Sequence, residues 1–214
     1  MYKRQADGHG VHLGERECSI QRRHQKLVEE APSPVMTPEL RERMGSAALA
    51  LAGAAGYRNI GTAEFLLVDA EAGSFVFNEV NPRLQVEHPV TELVTGLDLV
   101  ELQLKAAAGE PLGLGSTPRL EGHAIEVRIN AEDPLYGFRP SPGTVEAWDP
   151  PRNESIRVDH MLAPGLQIPP SYDALIAKVI AFGTDRHVAR WRLRQALDRM
   201  VLRGFPHNLS LIHI

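Results

Sequence analysis

The chain of 214 residues is 43% hydrophobic and 23% charged, with a net charge of −4 and a pI near 6.1, a balance that suits one or two globular domains and argues against disorder or general nucleic-acid binding. No apolar run approaches the roughly 18 residues that a bilayer span needs, and the charged N-terminus lacks the apolar core of a secretory signal. The single cysteine, Cys18, cannot close an internal disulfide, so a reducing cytoplasm is expected, with Cys18 as an inert core thiol.

The two ends are mutually antisense. With a GTG start, Met1–Gln5 can be written GTG TAT AAG AGA CAG, whose reverse complement reads Leu-Ser-Leu-Ile-His, the residues from Leu209 to His213. Residues 1–5 and 209–214 are therefore expected to derive from a sequencing adaptor and to stand outside the fold, leaving 6–208 as a stretch of a longer gene product.

Between those ends, "ADGHG" (6–10) reads as a turn, and "VHLGERECSI" as a short strand leading into the basic cluster "QRRHQK" at 21–26. Such a cluster is ordinarily a solvated face. In the Pro-rich connector "APSPVMTPEL", Thr37 and Pro38 are N-cap and first-turn signals. With Glu39 they open a helix that runs through "SAALALAGAAG" and stops at Gly56. "GTAEFLLVD" and "SFVFNEVN", joined by "AEAG", read as a hairpin of two buried strands, and a helix is expected from about Pro89 to Ala108. The aperiodic "EPLGLGSTPRLEG" marks a boundary between two units, taken as 6–116 and 117–208. Beyond it "HAIEVRINAEDP" alternates, with His123, Ile125, Val127 and Ile129 opposed to Ala124, Glu126, Arg128 and Asn130, so Arg128 lies on a polar face. Strands follow around "GTVEAW", "SIRVDH" and "ALIAKVIAFG", then an amphipathic helix, "DRHVARWRLRQALDRMV", closed by Gly204.

The richest stretch is "EVNPRLQVEHP". Read as extended chain, it puts Glu79, Asn81, Arg83, Gln85 and Glu87 on one side, a polar line more than about 20 Å long at a rise of about 3.3 Å per residue. Glu64 interrupts an apolar strand expected to pair with that of Glu79. Burying two facing carboxylates calls for a cation. The oxygen donors Glu64, Glu79 and Asn81 suit Mg²⁺ or Mn²⁺ rather than zinc. The alternative is an acid neutralised by Arg58 or Arg83. A glycosidase acid pair would leave Asn81, Arg83 and Lys26 without roles, whereas metal-bound phosphate uses them, with Arg83 holding a planar oxyanion and Glu87 as a candidate base.

"RECSIQRRHQKLVEEAPSP", "FNEVNPRLQVEHPVTELVTGLDLVELQL", "HAIEVRINAEDP", "FRPSPGTV" and "PPSYDALIAKVI" together resemble the biotin carboxylase component of biotin-dependent carboxylases, an ATP-grasp family. The resemblance covers Ala6 to Asn208. It implies an α+β fold, the C-terminal part of an ATP-grasp domain followed by the start of the biotin carboxylase C-terminal domain. It also implies the reaction: MgATP activates bicarbonate as carboxyphosphate, which yields CO2 for N1′ of biotin.

By similarity, Glu64, Glu79 and Asn81 hold Mg²⁺ or Mn²⁺. Arg83, Gln85, Val86 and Lys26 bind bicarbonate, with Glu87 as its base. Gln21, His24 and Leu66 lie at the nucleotide, and Arg128 stabilises the biotin enolate. His88 and His123 acquire no role beyond packing. The implied partners are a biotin carboxyl carrier protein, a carboxyltransferase and a second copy in a homodimer. The family's N-terminal domain and nearly all of its lid have no counterpart here, so the 214 residues alone are expected to be inactive. A carbamoyl-phosphate synthetase-type ligase or a non-catalytic remnant are the alternatives, and "EVRINAEDP" and "PPSYDALIAKV" argue against the ligase.

Overall fold

A computed structural model describes residues 2–4 and 10–213. The turn expected at 6–10 falls outside them except for Gly10, which begins a strand. The elements that build the structure are β1 (Tyr2–Arg4), β2 (Gly10–His12), β3 (Glu17–Arg22), β4 (Gln25–Ala31), α1 (Pro38–Ala54), β5 (Asn59–Asp69), β6 (Ser74–Asn81), α2 (His88–Thr95), α3 (Leu99–Ala107), β7 (His123–Asn130), α4 (Arg186–Arg199) and α5 (Leu209–His213), with further short strands. They form two compact units: Met1–Glu17 with Ala31–Glu121, and Cys18–Glu30 with Gly122–Ile214. The contiguous division expected near residue 116 differs from this. The β3–β4 hairpin leaves its sequence neighbours because β4 lies beside β7 in one sheet.

In the first unit a four-stranded sheet has the order β2-β1-β5-β6. Strand β1 pairs antiparallel with both β2 and β5, so residues expected to stand outside the fold occupy a sheet interior. Backbone ladder groups pair irrespective of side chain, which is why coding oddity does not bar a segment from a sheet. Helix α1 begins as expected, Thr37 Oγ1 accepting from Leu40 N at 3.2 Å. Ala48 and Ala52 pack it on Ala63, Phe65 and Val80 of the β5–β6 hairpin. Only that face of the hairpin is covered. On the other, Leu66 is 58% exposed and Val68 and Val76 are exposed too, which corrects the expectation of two buried strands. The helix expected over 89–108 is two helices. Gly96, with a φ of 69°, ends α2, and Asp98 caps α3 through Glu101 N at 2.8 Å.

The second unit is built on a five-stranded sheet in the order Ile156–His160, Leu175–Gly183, β7, β4, β3. One face, with Ile125, Val127, Ile129, Val179 and Ala181, forms the core with Ala189, Leu193 and Leu197 of α4. Leu209 and Ile212 of α5 pack against the same core, so this end too takes part in the fold. Helix α4, capped by Asp185 on Val188 N at 2.9 Å, stops at Arg199. The Met200–Val201 end expected to be helical instead leads into a strand, Val201–Arg203, paired with Ala147–Asp149. Cys18 is half-buried on β3 rather than in the core.

Beside this core Glu30 accepts from Arg186 Nε at 2.7 Å and Nη2 at 3.0 Å, and lies 2.7 Å from His123 Nε2. Burial pushes the Glu30 carboxyl up, but the hydrogen bonds and charges of His123 and Arg186 outweigh it, leaving it below its ordinary 4.5. A depressed native pKa contributes stability that is complete above the unfolded value and is lost as pH falls through the native one. Glu30→Gln is therefore expected to lower stability at neutral pH by about 1–3 kcal/mol. It should also flatten the fall in Tm below pH 4.5. Circular-dichroism melts across that range check both, and an unaltered acid limb would contradict the linkage.

Candidate functional site

Antiparallel register sets Glu64 directly opposite Glu79 and Thr62 opposite Asn81. Opposed residues share a face, and alternation puts Leu66 there as well. This is the face that α1 leaves open. A register shift between Glu64 and Phe65 re-aims the hairpin beside the acid pair, as bulges next to sites do. Asn81 Nδ2 donates to Glu64 Oε1 at 3.2 Å and to Glu79 Oε1 at 3.0 Å, so the two expected acid ligands meet at the side-chain nitrogen of the third. Gln85 Nε2 donates to the same Glu64 oxygen at 2.9 Å. Arg83 joins through Nη2 to Asn81 Oδ1 at 3.3 Å.

The long extended line expected from Glu79 to Glu87 is absent. Strand β6 ends at Asn81, and the chain turns sharply, Arg83 N donating to Asn81 O at 2.8 Å and His88 N to Gln85 O at 3.2 Å. Pro82 has no N–H to continue a ladder, and Pro89 opens the first turn of α2. The turn gathers the polar residues rather than spacing them out. Gln85 is 6% exposed and Glu87, at the head of α2, only 2%; Val86 is half-buried and Arg83 exposed. His88 Nδ1 lies 2.8 Å from Gln85 O, a loop-closing role.

Sequence reasoning missed Arg16. Its Nη2 donates to Gln85 Oε1 at 2.6 Å and Thr62 Oγ1 at 3.3 Å, and its Nη1 to Thr91 Oγ1 at 3.1 Å. It stands in "RECSIQRRHQK", but no periodicity marks a loop residue that meets partners 46 to 75 positions away.

The remaining expected residues belong to the second unit. Gln21 lies on β3, Lys26 on β4, and His24 in the two-residue turn between them, where Arg23 and His24 have φ of 50° and 65°. Paired positive φ is the conformation of a tight hairpin turn. Gln21 Nε2 donates to Cys18 O at 2.9 Å, while Arg22 pairs with Glu132 and stacks 4.1 Å from the Phe138 ring, anchoring the hairpin. Arg128 lies in register with Lys178, which lies in register with Asp159, so a charged row crosses the sheet on the face away from α4. Glu29, fully buried, accepts from Arg128 Nε at 2.6 Å; Lys178 Nζ is 3.2 Å from Asp159 Oδ2. Asn208 pins the same stretch of β7, donating to Arg128 O at 3.0 Å and accepting from Asn130 N at 2.8 Å. Glu29 also escaped the sequence reading, although strand alternation opposite an Arg could have flagged it.

Residues 3–114 match the family described as carbamoyl-phosphate synthase L chain, ATP binding domain, and residues 126–214 match the biotin carboxylase C-terminal domain. The biotin carboxylase of a Nostoc species is 51% identical over 208 residues, 96% of this chain and 46% of that protein. Biotin carboxylase 1 of Bacillus subtilis is 49% identical over 214 residues, 97% and 47% of the two. This chain belongs to the biotin carboxylase family. Its fold is that of solved biotin carboxylases, with a TM-score of 0.94 and 47% identity to the biotin carboxylase domain dimer of Hydrogenobacter thermophilus 2-oxoglutarate carboxylase, a structure in complex with MgADP, ADP and bicarbonate. That match covers 99% of this chain and 47% of the other. The chain thus spans under half the length of these relatives.

Breaking a buried ion pair from one side leaves the other charge uncompensated, at about 3–5 kcal/mol. Glu29→Ala is expected to cost that much in chemical denaturation, because the Arg128 side chain it abandons is only 12% exposed. Glu29→Gln, which keeps an acceptor, should cost clearly less. Equal losses would mean that packing, not charge pairing, sets the contribution of Glu29.

Proposed function

We propose that the polypeptide carrying these residues catalyses ATP- and bicarbonate-dependent carboxylation of biotin on a carrier protein, the first half-reaction of an acyl-CoA or related carboxylase. The observation that carries this is the convergence of Glu64, Glu79 and Asn81 on the open face of β5–β6. A cation here would take the two carboxylates of Glu64 and Glu79 and the amide oxygen of Asn81; among the described residues no group of three or more His, Cys, Asp or Glu could hold a metal. That all-oxygen set suits Mg²⁺ or Mn²⁺, which keep several waters and complete their shell with phosphate oxygens. The amide of Asn81 would turn its Oδ1 inward to serve. The cation supplies charge neutralisation to the phosphates of ATP.

Around that site, Arg83 offers the planar fork that matches bicarbonate, with Gln85 and the Val86 backbone beside it. Glu87, buried at the head of α2, is assigned as the base that takes the bicarbonate proton. The bicarbonate oxygen then attacks the γ-phosphorus, the bond to the ADP oxygen breaks, and carboxyphosphate forms. Its collapse releases CO2, the carbon for N1′ of biotin, and phosphate, which takes the proton that N1′ loses as the N–C bond forms. Leu66 presents an apolar surface on the cation face, fitted to a nucleotide base. In the second unit, Gln21, His24 and Lys26 are assigned to the nucleotide and bicarbonate, and Arg128 to the ureido oxygen where negative charge develops, its orientation fixed by Glu29.

A biotin carboxyl carrier, a carboxyltransferase and a second copy are the proposed partners, and the cytoplasm the proposed location. No helix among the described residues is long and apolar enough to cross a membrane. A carbamoyl-phosphate synthetase reading accounts for the first unit alone; the biotin carboxylase match over residues 126–214 favours biotin.

The 214 residues by themselves are expected to bind the cation without turning over ATP, since the matched relatives are more than twice as long. Titration with Mn²⁺, followed by loss of the free-ion EPR signal, should show one site, weakened at least about tenfold by Glu79→Ala. In the longer protein, Arg128→Ala should abolish biotin-dependent ATP hydrolysis while leaving ATP binding within about twofold. Parallel loss of both would rule out the enolate role.

A further inference from the structure

We propose that Arg16 is a positioning residue for the acid pair, acting through the side-chain amide of Gln85. The inference rests on the cation reading of Glu64 and Glu79 and goes beyond it. A guanidinium carries five N–H donors and no acceptor, and stays charged. Every partner of Arg16 must therefore present an oxygen, and its three partners do: Thr62 Oγ1, Thr91 Oγ1 and Gln85 Oε1. All three partner residues are buried.

For the two threonines this anchors β5 and α2 around one fork. For Gln85 it does more, because a primary amide has a donor end and an acceptor end. With Oε1 held 2.6 Å from Arg16 Nη2, Nε2 faces Glu64 Oε1 at 2.9 Å. The reversed amide would set N–H against N–H at Arg16 and oxygen against carboxylate at Glu64, losing two hydrogen bonds, each charge-assisted. Arg16 thus sets the polarity of a relay that runs from its guanidinium through Gln85 to Glu64. A carboxylate held by directed donors presents a fixed set of lone pairs to a cation, and outer partners of ligands typically contribute about 10–100-fold to metal affinity.

The test is a double-mutant cycle on the 214-residue chain with Mn²⁺ as the probe. Arg16→Met should weaken Mn²⁺ binding about tenfold, and Arg16→Lys less. Gln85→Ala should weaken it to a similar degree, and adding Arg16→Met to Gln85→Ala should cost nothing more, because the relay is already cut. A general structural role would instead make the two losses add. Should Arg16→Met melt below the assay temperature, Arg16→Lys, which keeps the charge but not the fork, is read in its place against the same Gln85→Ala background. The Gln85 side-chain N–H signals in NMR give a reading that needs no metal: slow hydrogen exchange in the unsubstituted chain, fast exchange in Arg16→Met. Unchanged affinity, additive losses or unaltered Gln85 exchange would each overturn the inference. Lack of Mn²⁺ binding by the unsubstituted chain, with Gln85 exchange still dependent on Arg16, would overturn the cation reading and the inferred effect on affinity together.

Discussion

Two carboxylates opposite one another on neighbouring strands repel, and the first unit is organised around holding them there. Unit charges about 4 Å apart interact with roughly 4 kcal/mol at an effective dielectric near 20, so an arrangement of this kind persists only with compensating donors or a cation. The structure meets the requirement in layers. Helix α1 packs behind Ala63, Phe65 and Val80, which fixes the register that opposes Glu64 and Glu79. Asn81 and Gln85 place N–H groups on the acid oxygens, and Arg16 lies behind Gln85. The turn after Asn81 exists because Pro82 cannot extend the ladder, and that turn brings Gln85 back under the hairpin.

The second unit handles charge differently. Its strand β7 is buried along nearly its whole length, and the ionised groups of the unit are paired: Glu29 with Arg128, Glu30 with Arg186 and His123, Asp159 with Lys178. Such pairs add little net stability over apolar packing, yet removing one member is costly, which makes them devices for fixing orientation. Arg128 is held by Glu29 at its side chain and by Asn208 at its carbonyl. The role proposed for Arg128 calls for a cation that does not reorganise as negative charge develops, and this scaffolding would suit it.

Much of the candidate site could be read before any coordinates. The Glu64–Glu79 pairing followed from two apolar strands joined by a short turn, and the start of α1 from Thr37 and Pro38. What failed did so for definite reasons. The extended reading of residues 79–87 counted alternation but underrated Pro82 and Pro89, and the single helix over 89–108 passed over Gly96 and Asp98, a helix stop followed by a cap. The hairpin looked buried on both faces because apolar residues do not announce which face a helix will cover. Arg16 was invisible because its partners lie 46 to 75 positions away and it sits in a loop without periodicity. Glu30 likewise meets Arg186 across 156 positions.

The sequence by itself determined the family, the β5–β6 hairpin and the start of α1, and the chemical types at the site, since long ordered motifs and local caps are written in near neighbours. Tertiary structure alone decided that the 18–30 hairpin joins the second unit and that residues 2–4 fill a gap between β2 and β5. It also decided which end of the Gln85 amide faces Glu64. Those outcomes depend on which backbone ladders and buried donors remain to be satisfied once distant segments meet, a condition of the whole chain that no local pattern carries.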